Sequence, residues 1–298
     1  KRALHGASVF NEPLDAVGRL VKVKDITDIH ILSPFNKPAA TNTIIDSCAK
    51  AGVSPNFHTI PSLKDMASGD ISASIIRDVE VTDLLGRVET DLPREKIAEF
   101  VTKKKILVTG AGGSIGSELC RQILSYKPEV LVLFEFSEVA LYLIEKELQE
   151  MIISQSLSTQ LVAFAGDIRH KEEVEQAIFL VNGIDVIYHA AAYKHVPLME
   201  DNVPSAFRNN VLGTARLAEV AEKCKVKKFV MISSDKAVRP SNVMGSTKRI
   251  AERVLQERPQ GGTEFVAVRF GNVLGSSGSV IPLFKKQIKE GKPLTVTT

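Results

Sequence analysis

The apolar and polar positions of this chain follow two different patterns. Before residue 76 the apolar runs are short and isolated. Asp28 to Leu32 and Phe57 to Ile60 read as strands, and Thr41 to Gly52 between them reads as a helix, with Thr41 or Asn42 as cap and Gly52 as stop. This is a β–α–β unit with no glycine fingerprint ahead of it, so the module either binds no nucleotide or lacks its first strand. Residues 76–103 are crowded with charge, from Asp78 and Glu80 to Arg94, Glu95 and Lys96, and read as a connector with a short helix near Pro93 to Phe100. From Lys104 onward apolar runs recur at Ile106–Val108, Val130–Phe134, Leu161–Phe164, Val186–His189, Phe229–Ile232 and Phe265–Arg269, with helical segments between them. Strands alternating with helices predict an α/β, doubly wound parallel sheet. The expected organisation is a smaller, incomplete Rossmann-like domain over 1–75, the connector over 76–103 and the main domain over 104–298.

Composition narrows the class. The 298 residues are 44% hydrophobic and 24% charged, as in a globular protein with ample core. A net charge of +3 is too small to argue for nucleic acid or an anionic membrane surface. Cys48, Cys120 and Cys224 are far apart, which favours a reducing compartment and inert thiols, and no metal centre is expected. No apolar run approaches the ~18 residues of a membrane span, and there is no signal peptide. The chain starts at Lys1 and stops in the strand-like run Pro293 to Thr298, so it reads as a fragment.

The first strand of the main domain runs straight into Thr109-Gly-Ala-Gly-Gly-Ser-Ile-Gly116 and then a helical pattern. Gly110, Gly113 and Gly116, with Gly112 as an extra small residue, let the turn bend sharply and the helix start close to the strand. Pyrophosphate can then lie on backbone N–H groups, including those of Ser114 and Ile115. Strand, glycine turn and helix in this order predict a Rossmann dinucleotide site. Glu135 ends the second strand, 19 residues after Gly116, where a carboxylate would take the adenosine ribose hydroxyls and favour NAD over NADP. Glu138 competes for that role from the start of the next helix. Asp167 and Ile168 follow the third strand; Asp167 either bounds the adenine edge or caps the following helix. Ala190, Ala191 and Ala192 follow the fourth strand and leave room for the cofactor's ribose and phosphates, with His189 read as a packed strand-end histidine. Lys194, in the polar loop beyond, is a candidate substrate or phosphate contact.

The fifth strand opens into Ser233-Ser234-Asp235-Lys236, and Met244-Gly-Ser-Thr-Lys248 leads into a further helix. With Gly110–Cys120, Ala192–Glu200, Ser233–Pro240 and Gly271–Gly278, these phrases resemble the extended short-chain dehydrogenases/reductases. More narrowly they resemble the CapD-like polysaccharide-biosynthesis family of nucleotide-sugar 4,6-dehydratases. The resemblance covers most of 104–298; Asp83-Leu-Leu-Gly-Arg87 is similar to the family's connector, and the N-terminal part to a CoA-binding-like domain. One departure is Met244, which stands where the broader superfamily has the tyrosine of Tyr-x-x-x-Lys; a thioether cannot act as a base. The literal match at Tyr142–Lys146 lies after the second strand and is a decoy.

The resemblance implies a reaction in which a sugar 4-hydroxyl is oxidised, water is lost across C5 and C6, and the cofactor returns to NAD. On this reading Ser234 holds the 4-hydroxyl, Lys236 removes the C5 proton, Asp235 protonates the departing 6-hydroxyl, and Lys248 contacts the nicotinamide ribose. Asn210 is either a polar group near the site or a buried structural asparagine, and Arg269 and Asn272 lie where a diphosphate or the sugar could be held. The implied substrate is UDP-N-acetylglucosamine, in a cytoplasmic homo-oligomer that meets the membrane only through segments outside this chain, with a sugar-binding segment beyond Thr298. An epimerase of the same superfamily, or a non-catalytic NAD-binding module, are the competing classes. The adjacent acid and base at Asp235–Lys236 favour dehydration.

Overall fold

The computed structural model describes residues 2–4, 7–10, 12–32, 38–59, 77–78, 92–259 and 262–273, with 283–284, 286–287, 290 and 292–295. The chain divides into two compact units, Lys1–Asp91 and Leu92–Thr298. The family-like connector phrase at 83–87 and the part of the Gly271–Gly278 phrase from residue 274 lie outside the described residues.

In the first unit, β1 (Arg2–Leu4) and β2 (Ala7–Val9) form an antiparallel pair. They are followed by α1 (Val17–Lys24), β3 (Asp28–Ile31), α2 (Pro38–Ala51), β4 (Asn56–Thr59) and β5 (Arg77–Asp78). β3 and β4 pair in parallel around α2, as the β–α–β reading requires, and β5 adds antiparallel to β4. The helix begins earlier than the sequence suggested. Pro38, with its fixed φ, opens it, and Thr41 is a buried residue inside it rather than its cap. Helices α1 and α2 meet at Gly18, whose N–H donates to Ser47 Oγ at 2.9 Å; a Cβ there would sit 2.1 Å from the Ser47 carbonyl oxygen.

The second unit starts with α3 (Arg94–Val101), part of the expected connector, which buries Val101 and packs Ile97 against this unit's core. There follow β6 (Lys105–Thr109), α4 (Ser114–Ser125), β7 (Val130–Glu135), α5 (Glu138–Ser154), β8 (Gln160–Ala165), α6 (Lys171–Phe179) and β9 (Val186–His189). Two short helices, α7 (Val196–Glu200) and α8 (Val203–Phe207), lead through a π-helical turn at Arg208–Gly213 into α9 (Thr214–Lys223). The remaining described elements are β10 (Lys228–Ile232), a 3-10 turn at Asp235–Ala237, α10 (Val243–Gln256) and β11 (Glu264–Val268). The sheet order β11-β10-β9-β6-β7-β8 is parallel throughout.

Side-chain alternation explains why the central strands read as unbroken apolar runs. Ile106, Val108, Leu131 and Leu133 face one side, against α3, α4 and α5. Leu107, Val132, Phe134, Ile187, Phe229 and Met231 face the other, against α6, α9 and α10. With both faces covered, the strand interiors are apolar, and polar residues such as Lys105, Thr109 and His189 fall at the strand ends. The order reverses between β6 and β9, so their carboxyl ends flank the crevice where open parallel sheets bind ligands. Among the described residues no helix is long and apolar enough to cross a membrane.

Candidate active site

The β6–α4 turn is built by backbone proximity. Gly110 has φ +67° and passes so close to the β9 end that a Cβ would lie 2.7 Å from Ala191 N. A Cβ at Gly116 would lie 1.9 Å from the Gly110 carbonyl oxygen, so α4 can start against the strand only with glycine at both places. The third close approach is Gly112 against Ala140 of α5, 2.5 Å from its Cβ. α4 starts at Ser114 and Ile115 from Gly113, which has no side chain to cap it, and its first turn contains no acidic residue. This cradle opens into a cleft of about 290 Å³ lined by Gly110, Gly112, Glu135, Asp167, Ile168 and Ala190–Ala192 among others. A space a Cβ would fill and a helix start without a competing carboxylate fit a dinucleotide's phosphates.

Glu135 faces this cleft, its Oε2 accepting from Gly112 N and its Oε1 from Ser137 N, both at 3.0 Å. Glu138 is instead the first residue of α5, behind the Ser137 cap. Asp167 is buried and held by its neighbour: Arg169 donates from Nε at 2.9 and 2.8 Å and from its backbone N at 2.8 Å. Burial alone would raise the Asp167 carboxyl, but the Arg169 bonds and charge outweigh it and hold it low. The Asp167 side chain therefore does not cap α6. The Arg169 guanidinium also lies 5.9 Å from the exposed Phe136 ring, closing the far wall of the cleft, a pairing the sequence reading missed.

A buried polar chain fixes the alanine segment. Thr214 Oγ1 donates to the Asn210 carbonyl at 2.7 Å, so it accepts from His189 Nε2 at 2.9 Å. His189 Nδ1 then accepts from Thr109 Oγ1 at 2.8 Å, whose oxygen takes the Ala191 N–H at 3.4 Å. Burial, with the Lys248 charge beside it, pushes the imidazole down to about 3, so it is neutral and structural. Asn210 lies in the π-helical turn, 1% exposed. Its amide bonds Tyr193 N and O at 2.8 and 3.0 Å and Thr247 Oγ1 at 3.0 Å. Every strong position of that amide is occupied, so of its two readings Asn210 is the buried structural asparagine, and it positions the Tyr193 loop against α10. Lys194 is exposed on that loop between β9 and α7.

At the end of β10, Ser234 accepts from Lys236 N at 3.2 Å and donates to Asp235 Oδ1 at 3.1 Å. Lys236 Nζ reaches Asp235 Oδ1 at 3.3 Å and Asn272 Oδ1 at 2.9 Å, while Asp235 N donates to the Phe270 carbonyl at 3.0 Å. The structure thus brings Ser234, Asp235, Lys236 and Asn272 together. Asp235 is 56% exposed, not buried as an acid would need; the Lys236 and Ser234 bonds overcome its slight desolvation and hold its carboxyl below the usual range.

Helix α10 is capped twice, by Asn242 Oδ1 on Gly245 N and by Glu200 Oε1 on Val243 N, both at 2.8 Å. Lys248 is buried and donates to the Ile232 carbonyl at 2.8 Å; desolvation lowers its ammonium to about 8 against the opposing charge of Glu252. Met244 packs with Met199 and Ala206 in a small apolar cluster, so its position is one of packing and not of proton transfer. Arg269 has a partner within the chain. Its Nε donates to Glu252 Oε1 at 2.8 Å and its Nη2 to Oε2 at 2.5 Å, so its fork grips a buried carboxylate rather than awaiting a diphosphate. The decoy pair stays on the surface of α5, with Lys146 Nζ 5.7 Å from the Tyr142 ring centre.

Several known proteins are similar to this chain. Capsular polysaccharide biosynthesis protein CapD of Staphylococcus aureus is 46% identical over 95% of this chain and 47% of its own length. UDP-glucose 4-epimerase of Rickettsia canadensis is 37% identical over 65% of this chain and 56% of its own. The chain thus spans about half the length of the curated relatives it matches. The X-ray structure of Pen from Bacillus thuringiensis superposes with a TM-score of 0.61 at 38% identity, covering 67% of this chain and 61% of that one. The family described as polysaccharide biosynthesis protein matches residues 106–298, nearly all of the second unit, and the chain belongs to that family.

Proposed function

We propose that the second unit binds NAD and belongs to a nucleotide-sugar 4,6-dehydratase acting on UDP-N-acetylglucosamine in surface-glycan synthesis. The observation that carries this reading is the Ser234–Asp235–Lys236–Asn272 cluster at the end of β10, beside the buried Lys248. Bound NAD would supply the acceptor and later the donor of a hydride. The chain's own groups do the rest. Glu135 takes the adenosine ribose hydroxyls, Lys248 the nicotinamide ribose, and Ser234 orients the sugar 4-hydroxyl.

Asp235 and Lys236 act as one unit. Together they hold one proton more than a neutral lysine beside a carboxylate would, and in the open site that proton rests on Lys236 as an ion pair. A sugar seated over the pair excludes water, and desolvation disfavours both charges. Transfer of the proton across the 3.3 Å contact leaves a neutral amine and a carboxylic acid. The amine then takes the C5 proton while Asp235 gives its own to the departing 6-hydroxyl, and water leaves. Lys236 returns a proton to C5 as C6 takes back the hydride. The proton released by the 4-hydroxyl on oxidation, passed through the Ser234 hydroxyl, restores the ion pair.

A 4-epimerase is the second reading, favoured by the ionised state of Asp235 in the open site and by the similarity to an epimerase. Incubation with UDP-N-acetylglucosamine in heavy water, followed by NMR, separates the two. We expect a 4-keto-6-deoxy sugar with one deuterium at C5. A C4 epimer with its 6-hydroxyl intact would replace this reading with the second.

A further inference from the structure

Lys248 and Glu252 lie one turn apart on α10 and grip consecutive residues at the end of β10. Lys248 Nζ donates to the Ile232 carbonyl at 2.8 Å, and Glu252 Oε1 accepts from Ser233 Oγ at 2.6 Å. Glu252 is 1% exposed, a rare place for a carboxylate unless paired. Its partners are the Arg269 fork, from the segment after β11, and Arg249 Nη1 at 3.3 Å. That segment carries Asn272 on to Lys236 Nζ. One carboxylate therefore ties together the helix with Lys248, the strand end with Ser234, and the segment with Asn272.

We propose that Glu252 is a positioning residue that sets both the placement and the charge of Lys248, with Arg269 limiting how much of its charge reaches the lysine. This rests on the reading that Lys248 contacts the cofactor. The titratable groups around α10 are Glu200 of α7, Asp235 and Lys236 of the 3-10 turn, Arg269 after β11 and, at the end of β9, the neutral His189. None of these is the charge that acts on Lys248; that charge is Glu252, on α10 itself, opposing the burial that lowers the lysine to about 8. With Met244 in place of the tyrosine, this chain leans more heavily on Lys248, so a device that holds its proton matters to cofactor binding at neutral pH.

The test is the affinity for NAD from pH 6 to 10, measured by calorimetry. The unaltered protein should lose affinity through a limb near pH 8 as Lys248 loses its proton, and Lys248→Met should abolish the limb. Glu252→Gln should move it down by about one pH unit, since a nearby opposite charge is lost. Glu252→Asp, which keeps the charge, should leave the limb in place. Arg269→Gln should move it up, because Glu252 is then less neutralised. Opposite shifts from two partners of one salt bridge cannot come from loosened packing. An unmoved limb in Glu252→Gln overturns the proposal while leaving the dehydratase reading intact. If Glu252→Gln does not fold, an unmoved limb in Arg269→Gln overturns it equally. A limb that survives Lys248→Met removes the cofactor contact and the proposal with it.

Discussion

The phosphate end and the β10 end of the same crevice are built from different materials. At the phosphate end the shape comes from atoms that are missing: no Cβ at Gly110, Gly112 or Gly116, and backbone packed into the space. At the β10 end it comes from side chains that bind one another, with Glu252, Arg269, Ser233, Lys236 and Asn272 drawn from α10, the strand ends and the segment after β11. The first arrangement is one of backbone clearance, and any Cβ at these three glycines meets an atom within 2.7 Å. The second is spread along the chain, and its members can be exchanged if charge and hydrogen bonds are kept.

The largest expected effect breaks the first arrangement. Gly116→Ala forces a methyl to within 1.9 Å of the Gly110 carbonyl oxygen, which the turn can relieve only by moving α4. Overpacking of this kind costs roughly 1–3 kcal/mol or more, and NAD binding should be lost in calorimetry even where thermal unfolding remains cooperative. Wild-type affinity in this variant would show that the cradle is not the phosphate site.

Next comes the electrostatic partner of the cradle. Glu135→Ala should weaken NAD binding by about 1.5–3 kcal/mol, the scale of a charged hydrogen bond, and should narrow the preference over NADP. Equal binding of the two cofactors by the unaltered protein would remove Glu135 from that role.

The third tests the buried chain that joins the two ends. His189 is held at about 3 in the folded protein against an ordinary value of 6.5. Its folded value is depressed, so its contribution is present above pH ~6.5 and is lost as pH falls toward ~3, by about 1.4 kcal/mol per pH unit. Urea unfolding at pH 7 and 5 should show that loss, and His189→Gln should be less stable at pH 7 but flatter with pH. An equal slope in both proteins would assign the acid sensitivity elsewhere.

The difference between the two ends also explains which parts were legible in the sequence. The central strands, their order of appearance and the glycine spacing of the turn could be read because each is a pattern of neighbours within a few residues. Glu135 could be placed because it follows β7 directly. Asn210 and Arg269 were placed near substrate because they are polar and follow the right elements. Their partners lie 17 or more residues away, and sequence spacing carries no record of which donor meets which acceptor. Met244 fell in the position of a catalytic side chain, but Met199 and Ala206 decide that it packs.

By itself, then, the sequence determined the alternation of strands and helices and the tight Gly110–Gly116 turn, since apolar periodicity and the absence of side chains act there over short separations. Only the tertiary structure decided the charge state of Asp235, the neutrality of His189 and the commitment of Arg269 to Glu252. These depend on burial and on distances of about 3 Å between residues far apart in the chain, and a proton or a guanidinium goes wherever the folded surroundings make its free energy lowest.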